Sequence, residues 1–247
     1  MTGSQGAGLS PLLDGIELVV FDKDGTLIHF NAMWGGWALE LGRRLEGTTR
    51  RPVAGDVFAA IGFDPTSGRV RAGAPLAVAT MAELAEVVAA VIRRWCPSVT
   101  AARRAVQSAW FEPDAVATVV PTTDLPALFA RLREGGRRIA VATTDNRAAT
   151  EVTLRALGVR DHVSALACGD DGVGVKPDPA MVLALCAALQ VEPGAIAVVG
   201  DTPADLAMGR SAGAGRVIGV LSGVGTRAEL EPYADAVVGS VGELVTG

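Results

Sequence analysis

Apolar residues follow one spacing up to Leu27, a second from there to about residue 116, and a third beyond it. The first stretch ends in Val19-Val20-Phe21, which stops abruptly at Asp22-Lys23-Asp24-Gly25. A short apolar run bounded by a turn signal reads as a buried strand. The third regime is the most regular: short apolar runs at 139–142, 163–168, 196–200, 217–220 and 236–238 alternate with helical segments. Thr122-Thr123-Asp124 with Pro126 starts one helix and Gly135-Gly136 stops it, while others span 148–157 and 203–212, each ended by a glycine. Asp178 as cap and Pro179 at the first helical position open a further helix to Leu189. Strands alternating with helices predict an α/β fold, a doubly wound parallel sheet with helices on both faces. Ligands of such sheets sit beyond the carboxyl ends of the strands, where the strand order reverses. Asp22, Thr143 and Asp201 each stand at such an end.

The middle regime has no strand–helix alternation. Trp34, Trp37, Leu41 and Leu45 recur at helical spacing, as do Met81, Leu84, Val88 and Ile92, and Ala102, Val106 and Trp110. The Gly/Pro-rich stretch 62–75 between them reads as irregular. An insertion this long exceeds what a compact domain carries as a structureless loop. The expected organisation is a loose tail over 1–14, an α/β core formed by 15–29 and 117–247, and a mostly helical inserted domain over 30–116. The junctions at 29–31 and 112–117 must then hold any hinge.

Composition narrows the class. Of 247 residues, 49% are hydrophobic, enough for a substantial core, and the net charge of −5 argues against nucleic acid as the main partner. Cys96, Cys168 and Cys186 are odd in number and show no CxxC spacing, which suits a reducing compartment better than a disulfide framework or zinc site. The N-terminal stretch has neither a basic start nor an apolar core, and the longest apolar run, 180–189, is short of a membrane span. The expectation is a cytoplasmic protein without membrane contact, monomeric or homodimeric.

Chemistry concentrates at the strand ends. Alternation along a strand puts Asp22 and Asp24 on one side, and carboxylates held that close must share a proton or a cation. Thr143 could cap the next helix, but Thr144 and Asp145 could do the same, which leaves Thr143 spare. Lys176 precedes Pro177 and a helix start, where the helix dipole favours anions, so both would suit a bound phosphate. Asp201 at the end of a buried strand needs a partner. Thr202 and Asp205 fit a capping box, which gives Asp205 a structural role whatever else it does.

Asp22-Lys23-Asp24-Gly25-Thr26-Leu27 after a hydrophobic strand resembles the first motif of the haloacid dehalogenase-like (HAD) phosphatases. Thr143, the Lys176-Pro177 pair and Gly200-Asp201-Thr202-Pro203-Ala204-Asp205 match the second, third and fourth motifs in order. The resemblance spans 16–244 and is closest to the branch with a helical cap, which includes phosphoglycolate phosphatases. Lys23 departs from that branch, which carries an apolar residue there.

The resemblance implies a Rossmann-like core and a Mg²⁺-dependent phosphatase for a small phosphorylated metabolite, a phosphoglycolate-like phosphomonoester. Asp22 would be nucleophile, Asp24 acid and base, and Asp22, Asp201 and the Asp24 backbone carbonyl the metal ligands. Thr143 and Lys176 would hold the phosphoryl group and Asp205 would support the site. Thr144 and His29 are weaker substrate candidates, and Arg43, Arg44, Arg50, Arg51, Arg69 and Arg71 are candidates for a second anionic group. His162, Trp34 and Trp37 read as packing, and Asp170 and Asp171 as loop. The alternatives are a phosphomutase or pyrophosphatase of the same superfamily, or a non-catalytic receiver-like phospho-acceptor domain, which would lack both the cap and a role for Asp24.

Overall fold

The computed structural model describes residues 8–113 and 118–245. Its centre is β1 (Leu18–Phe21), four apolar residues buried on both faces. Leu18 and Val20 pack into one core layer, and Val19 and Phe21 into another, where Phe21 stacks on Phe129 at 5.5 Å between ring centroids. A strand covered on both faces must be apolar throughout, which is why its sequence does not alternate. β1 pairs in parallel with β4 (Arg138–Ala142) on one side and β6 (Ile196–Gly200) on the other. β5 (Ala165–Ala167) lies beyond β4, while β7 (Arg216–Val220) and β8 (Ala236–Val238) extend the far side, so the six-stranded order is β5-β4-β1-β6-β7-β8. All five pairings are parallel. Chain order therefore runs outward in both directions from β1, and the reversal lies at the carboxyl ends of β4, β1 and β6.

Helices cover both faces. α6 (Leu125–Glu134) and α7 (Arg147–Ala156) contribute Phe129 and Leu154 to the layer with Phe21. α8 (Ala180–Leu189) and α9 (Pro203–Ser211) contribute Leu185 and Met208 to the opposite layer. Asp124 caps α6 by accepting from Ala127 N at 3.0 Å, as its position implies. The start of α8 is one residue later than expected: Pro179 is the capping position and Asp178 accepts from Ala180 N at 2.8 Å.

Between β1 and α6 the chain forms the inserted domain. It comprises α1 (Phe30–Thr49), α2 (Ala54–Ile61), the short α3 (Pro75–Val78), α4 (Met81–Ile92) and α5 (Val99–Ala109). Its core is aromatic around Trp37, which meets Trp34 and Trp110 edge-on at 5.4 and 5.2 Å and donates Nε1–H to Phe111 O. Part of the stretch expected to be irregular is ordered: β2 (Phe63–Asp64) and β3 (Arg69–Val70) form an antiparallel pair. Asp64 tightens its turn by accepting from Thr66 N and Ser67 Oγ, a local signal that periodicity does not register.

The tail needs correction from residue 8 onward. Leu9 bridges Val245, Ser10 N donates to Leu244 O, and Leu13 is fully buried. A polar composition concealed these two apolar anchors. Where the insertion leaves and rejoins the core, His29 N donates to Val120 O at 2.8 Å and Thr122 N to Leu27 O at 2.9 Å, so the two connections run side by side. Most of the second expected hinge, 114–117, lies outside the described residues.

Candidate active site

The carboxyl ends of β4, β1 and β6 deliver Thr143, Asp22 and Asp201 to one place. Asp22 N still donates to Val199 O at 2.8 Å, so its backbone continues the β6 ladder while its side chain leaves the sheet. The following loop closes through Leu27 N to Lys23 O and Gly25 N to Ile28 O, at 2.9 and 2.7 Å. Gly25 adopts φ +98°, and a Cβ there would stand 2.4 Å from an Asp201 oxygen. A Cβ on Gly223, in the loop after β7, would come still closer, at 1.9 Å. Both glycines are thus required by the approach of backbone to the Asp201 carboxylate.

Lys176 Nζ reaches Asp22 Oδ1 in a short contact and Asp205 Oδ1 at 2.6 Å. Asp205 serves two purposes at once, because its Oδ2 accepts from Thr202 N at 2.9 Å and Thr202 Oγ1 at 2.6 Å to complete the capping box of α9. Asp201 Oδ2 accepts from Val224 N at 2.8 Å, and its Oδ1 from Thr26 Oγ1 at 3.4 Å. Thr143 is buried; its Oγ1 accepts from Asp145 N at 3.2 Å, which leaves the hydroxyl proton available as a donor. Thr144 lines the same cavity.

Lys23 is fully buried and pairs with Asp24 at 2.6 Å and Asp145 at 2.9 Å. The sequence marks Lys23 as a departure from the family pattern but gives it neither of these partners. The available signal was a lysine at the end of a buried strand, which needs neutralising wherever the chain folds. By sequence Asp145 is one of two candidates, with Thr144, for capping the next helix. That duty falls instead to Asp170, which accepts from Arg147 N at 2.8 Å, while Asp171 pairs with the Arg147 side chain.

Burial shapes the titration of the acids. It pushes Asp22 up to about 7 against the pull of Lys176. It raises Asp24 against the pull of Lys23, and Asp201 well above the carboxylate range, with Asp22 and Asp205 adding to the rise. Burial also works against the charge on Lys176, but Asp205 and Asp22 outweigh it and hold the ammonium protonated. Asp22, Asp201 and Asp205 crowd around the single ammonium of Lys176, a group short of positive charge.

Asp22, Asp201 and Asp205 offer oxygens that lie within 4.8 Å of one another, and Asp22 Oδ2 is buried with no hydrogen-bond partner. An all-oxygen set with an orphaned carboxylate oxygen fits a hard divalent cation. This side-chain cluster adds Asp205 to the expected Asp22 and Asp201; the expected contribution of Asp24 was its backbone carbonyl, and its carboxylate pairs with Lys23.

His29 is exposed, precedes α1 and does not line the cavity. The six candidate arginines also point elsewhere: Arg43 and Arg44 pair with Glu40, and Arg50, Arg51, Arg69 and Arg71 are exposed. His162 packs edge-on against Phe129 at 6.5 Å, in keeping with a packing role. The insertion closes over the core acids with Phe30, Trp34, Leu76, Val78, Met81 and Leu84, leaving a cavity of about 30 Å³.

The family model of the haloacid dehalogenase-like hydrolases matches residues 16–213. The chain belongs to this family. Among curated relatives, a phosphoglycolate phosphatase of Rhodospirillum rubrum is 30% identical over 200 residues, which is 80% of this chain and 76% of that one. A HAD-superfamily hydrolase, subfamily IA, variant 1, of Geobacter sulfurreducens superposes with a TM-score of 0.63 at 17% identity, covering 98% of each chain. CbbY of Rhodobacter sphaeroides, solved in complex with phosphate, superposes with a TM-score of 0.59 at 24% identity, over 93% of this chain and 96% of that one. The six-stranded parallel sheet with an inserted helical unit is the fold these structures share, and the protein is a hydrolase. No helix among the described residues is long and apolar enough to cross a membrane.

Proposed function

We propose that this HAD-like hydrolase is a Mg²⁺-dependent phosphatase that cleaves a small phosphomonoester, of phosphoglycolate size, through an aspartyl-phosphate on Asp22. The observation that carries the reading is the division of Asp22. Its Oδ1 is held by Lys176 while its Oδ2 is buried and unpaired, so one oxygen is oriented and the other is free. Asp22, Asp201 and Asp205 would hold the cation, which when bound offsets the charge of the phosphoryl oxygens and keeps Asp22 ionised.

Attack by Asp22 on phosphorus forms the Asp22–phosphorus bond as the bond to the leaving oxygen breaks. Asp24, raised by burial, gives its proton to that oxygen. As a carboxylate it then takes a proton from water, whose oxygen attacks phosphorus, releasing phosphate and freeing Asp22. Lys176 balances charge on the phosphoryl oxygens throughout, and the Thr143 hydroxyl, with Thr144 beside it, donates to them. The name of the R. rubrum relative supports a substrate of this size. The cavity has room for about one or two waters, so substrate enters by movement of the inserted domain, which works as a lid. We take the core as 15–29 and 117–247 and the lid as 30–116.

A phosphomutase would use the same core residues and differ in excluding water. A receiver-like phospho-acceptor is disfavoured by the lid and by Asp24 lining the cavity beside Asp22. Three free cysteines support a cytoplasmic setting. The deciding experiment is phosphate release from a panel of phosphorylated metabolites with Mg²⁺, with Asp22→Asn as control. Release that persists undiminished in the control would remove Asp22 from the mechanism.

A further inference from the structure

The lid's share of the cavity wall carries no charge. Phe30, Trp34, Leu76, Val78, Met81 and Leu84 face the catalytic acids, and the cations considered for a second anionic group lie elsewhere. Of its backbone donors, Ala77 N and Ala79 N are spent on Ala74 O and Pro75 O. Across the cavity Asp22, Asp24, Asp145, Asp201 and Asp205 outnumber Lys23 and Lys176, and both lysines are already paired. A leaving group with its own negative charge would face this apolar wall with no cationic partner on the lid side.

One polar atom interrupts the apolar wall. Trp34 is 4% exposed, and its Nε1–H is buried without a hydrogen-bond partner. Trp34 and Asp24 line the same cavity, and the Asp24 Oδ1 is likewise buried without a hydrogen-bond partner. A buried indole N–H without a partner is uncommon, since indoles bury well only with an acceptor. It stands beside the acid that would protonate the leaving oxygen, where the first atoms of the leaving group must lie.

We propose, resting on the phosphatase reading, that the enzyme selects phosphomonoesters of short uncharged alcohols, with Trp34 donating its indole N–H to a hydroxyl oxygen of the leaving group. Substrates with a second anionic group, phosphoglycolate included, are discriminated against by the apolar lid.

The test compares three esters of similar length on the full chain with Mg²⁺: 2-hydroxyethyl phosphate, ethyl phosphate and phosphoglycolate. Expected kcat/KM for 2-hydroxyethyl phosphate exceeds that for phosphoglycolate by about tenfold or more, the cost of leaving a charge unpaired. Trp34→Phe should lower kcat/KM for 2-hydroxyethyl phosphate by about 3- to 10-fold relative to ethyl phosphate, the worth of one neutral hydrogen bond. A packing defect would lower both equally and would overturn the role of Trp34. Met81→Arg, which places a cation on the lid wall, should move the preference toward phosphoglycolate. Phosphoglycolate turned over as well as or better than the neutral ester by the wild type would overturn the selection itself. Release from none of the three while other members of the metabolite panel are hydrolysed would overturn the selection alone, and release from no member of either set would overturn the phosphatase reading, so the two failures are distinguishable.

Discussion

On the core side of the cavity, three strand ends hold acids and lysines in specific pairs, Lys176 with Asp22 and Asp205, and Lys23 with Asp24 and Asp145. On the lid side, the wall is made of apolar side chains from three helices, with Trp34 its only polar contact among the described residues. The core wall tolerates little change, since each buried charge depends on a particular partner. The lid wall asks only for apolar side chains of suitable volume, so substitutions there alter shape before they alter stability. Chemistry is therefore concentrated in the element that cannot vary, and selection in the one that can.

The sharpest way to break this contrast is at Asp22. Asp22→Asn should lower phosphate release by about 10⁴-fold or more, as loss of a nucleophile does elsewhere. A chelator should do the same to the wild type, reversibly on adding Mg²⁺. Because Asp22 is raised to about 7 without a cation, protons compete with metal there, and more Mg²⁺ should be needed for half-activation at pH 6 than at pH 8. A half-activating concentration that does not change with pH would detach the metal from Asp22.

Asp24→Asn comes next, with an expected loss of about 10²–10⁴-fold. A substrate with a good leaving group should still phosphorylate Asp22, and a slowly decaying phospho-enzyme should be visible by mass spectrometry. Near-normal turnover of an alkyl phosphate by this variant would assign Asp24 another duty.

Lys23 tests the rigidity of the core wall. Lys23→Met removes a fully buried ammonium from between two acids, at a cost of about 3–5 kcal/mol in denaturant unfolding. A midpoint like that of the wild type would mean that Asp24 and Asp145 are relieved in another way. The smallest effects belong to positions outside both walls. His29→Ala and Arg71→Ala should each change kcat/KM by no more than about twofold, as surface substitutions do. A larger drop in either would bring that residue to the substrate and contradict its exposure in the structure.

Much of this was readable in the chain alone because it depends on local rules. The apolar run ending at Asp22, the capping signals at Asp124 and Thr202, and the alternation after Thr122 are short-range patterns, and the strands and helices appear there within a residue or two. That Asp22, Thr143 and Asp201 stand at strand ends is likewise a property of sequence order. What the tertiary structure decided was which distant groups meet. Lys23 and Asp145 are far apart in the chain but adjacent in space because β4 pairs with β1. Asp205 joins Asp22 and Asp201 through the turn of α9 after β6, and the loop after β7 supplies the Val224 N–H that holds Asp201. The lid's periodicity showed that Trp34, Met81 and Leu84 lie on apolar helix faces, but packing alone settled that these residues border the cavity. The same limit applied to His29 and the arginines: residue type permits a role, and only the path of the chain brings the side chain to the substrate or keeps it in solvent.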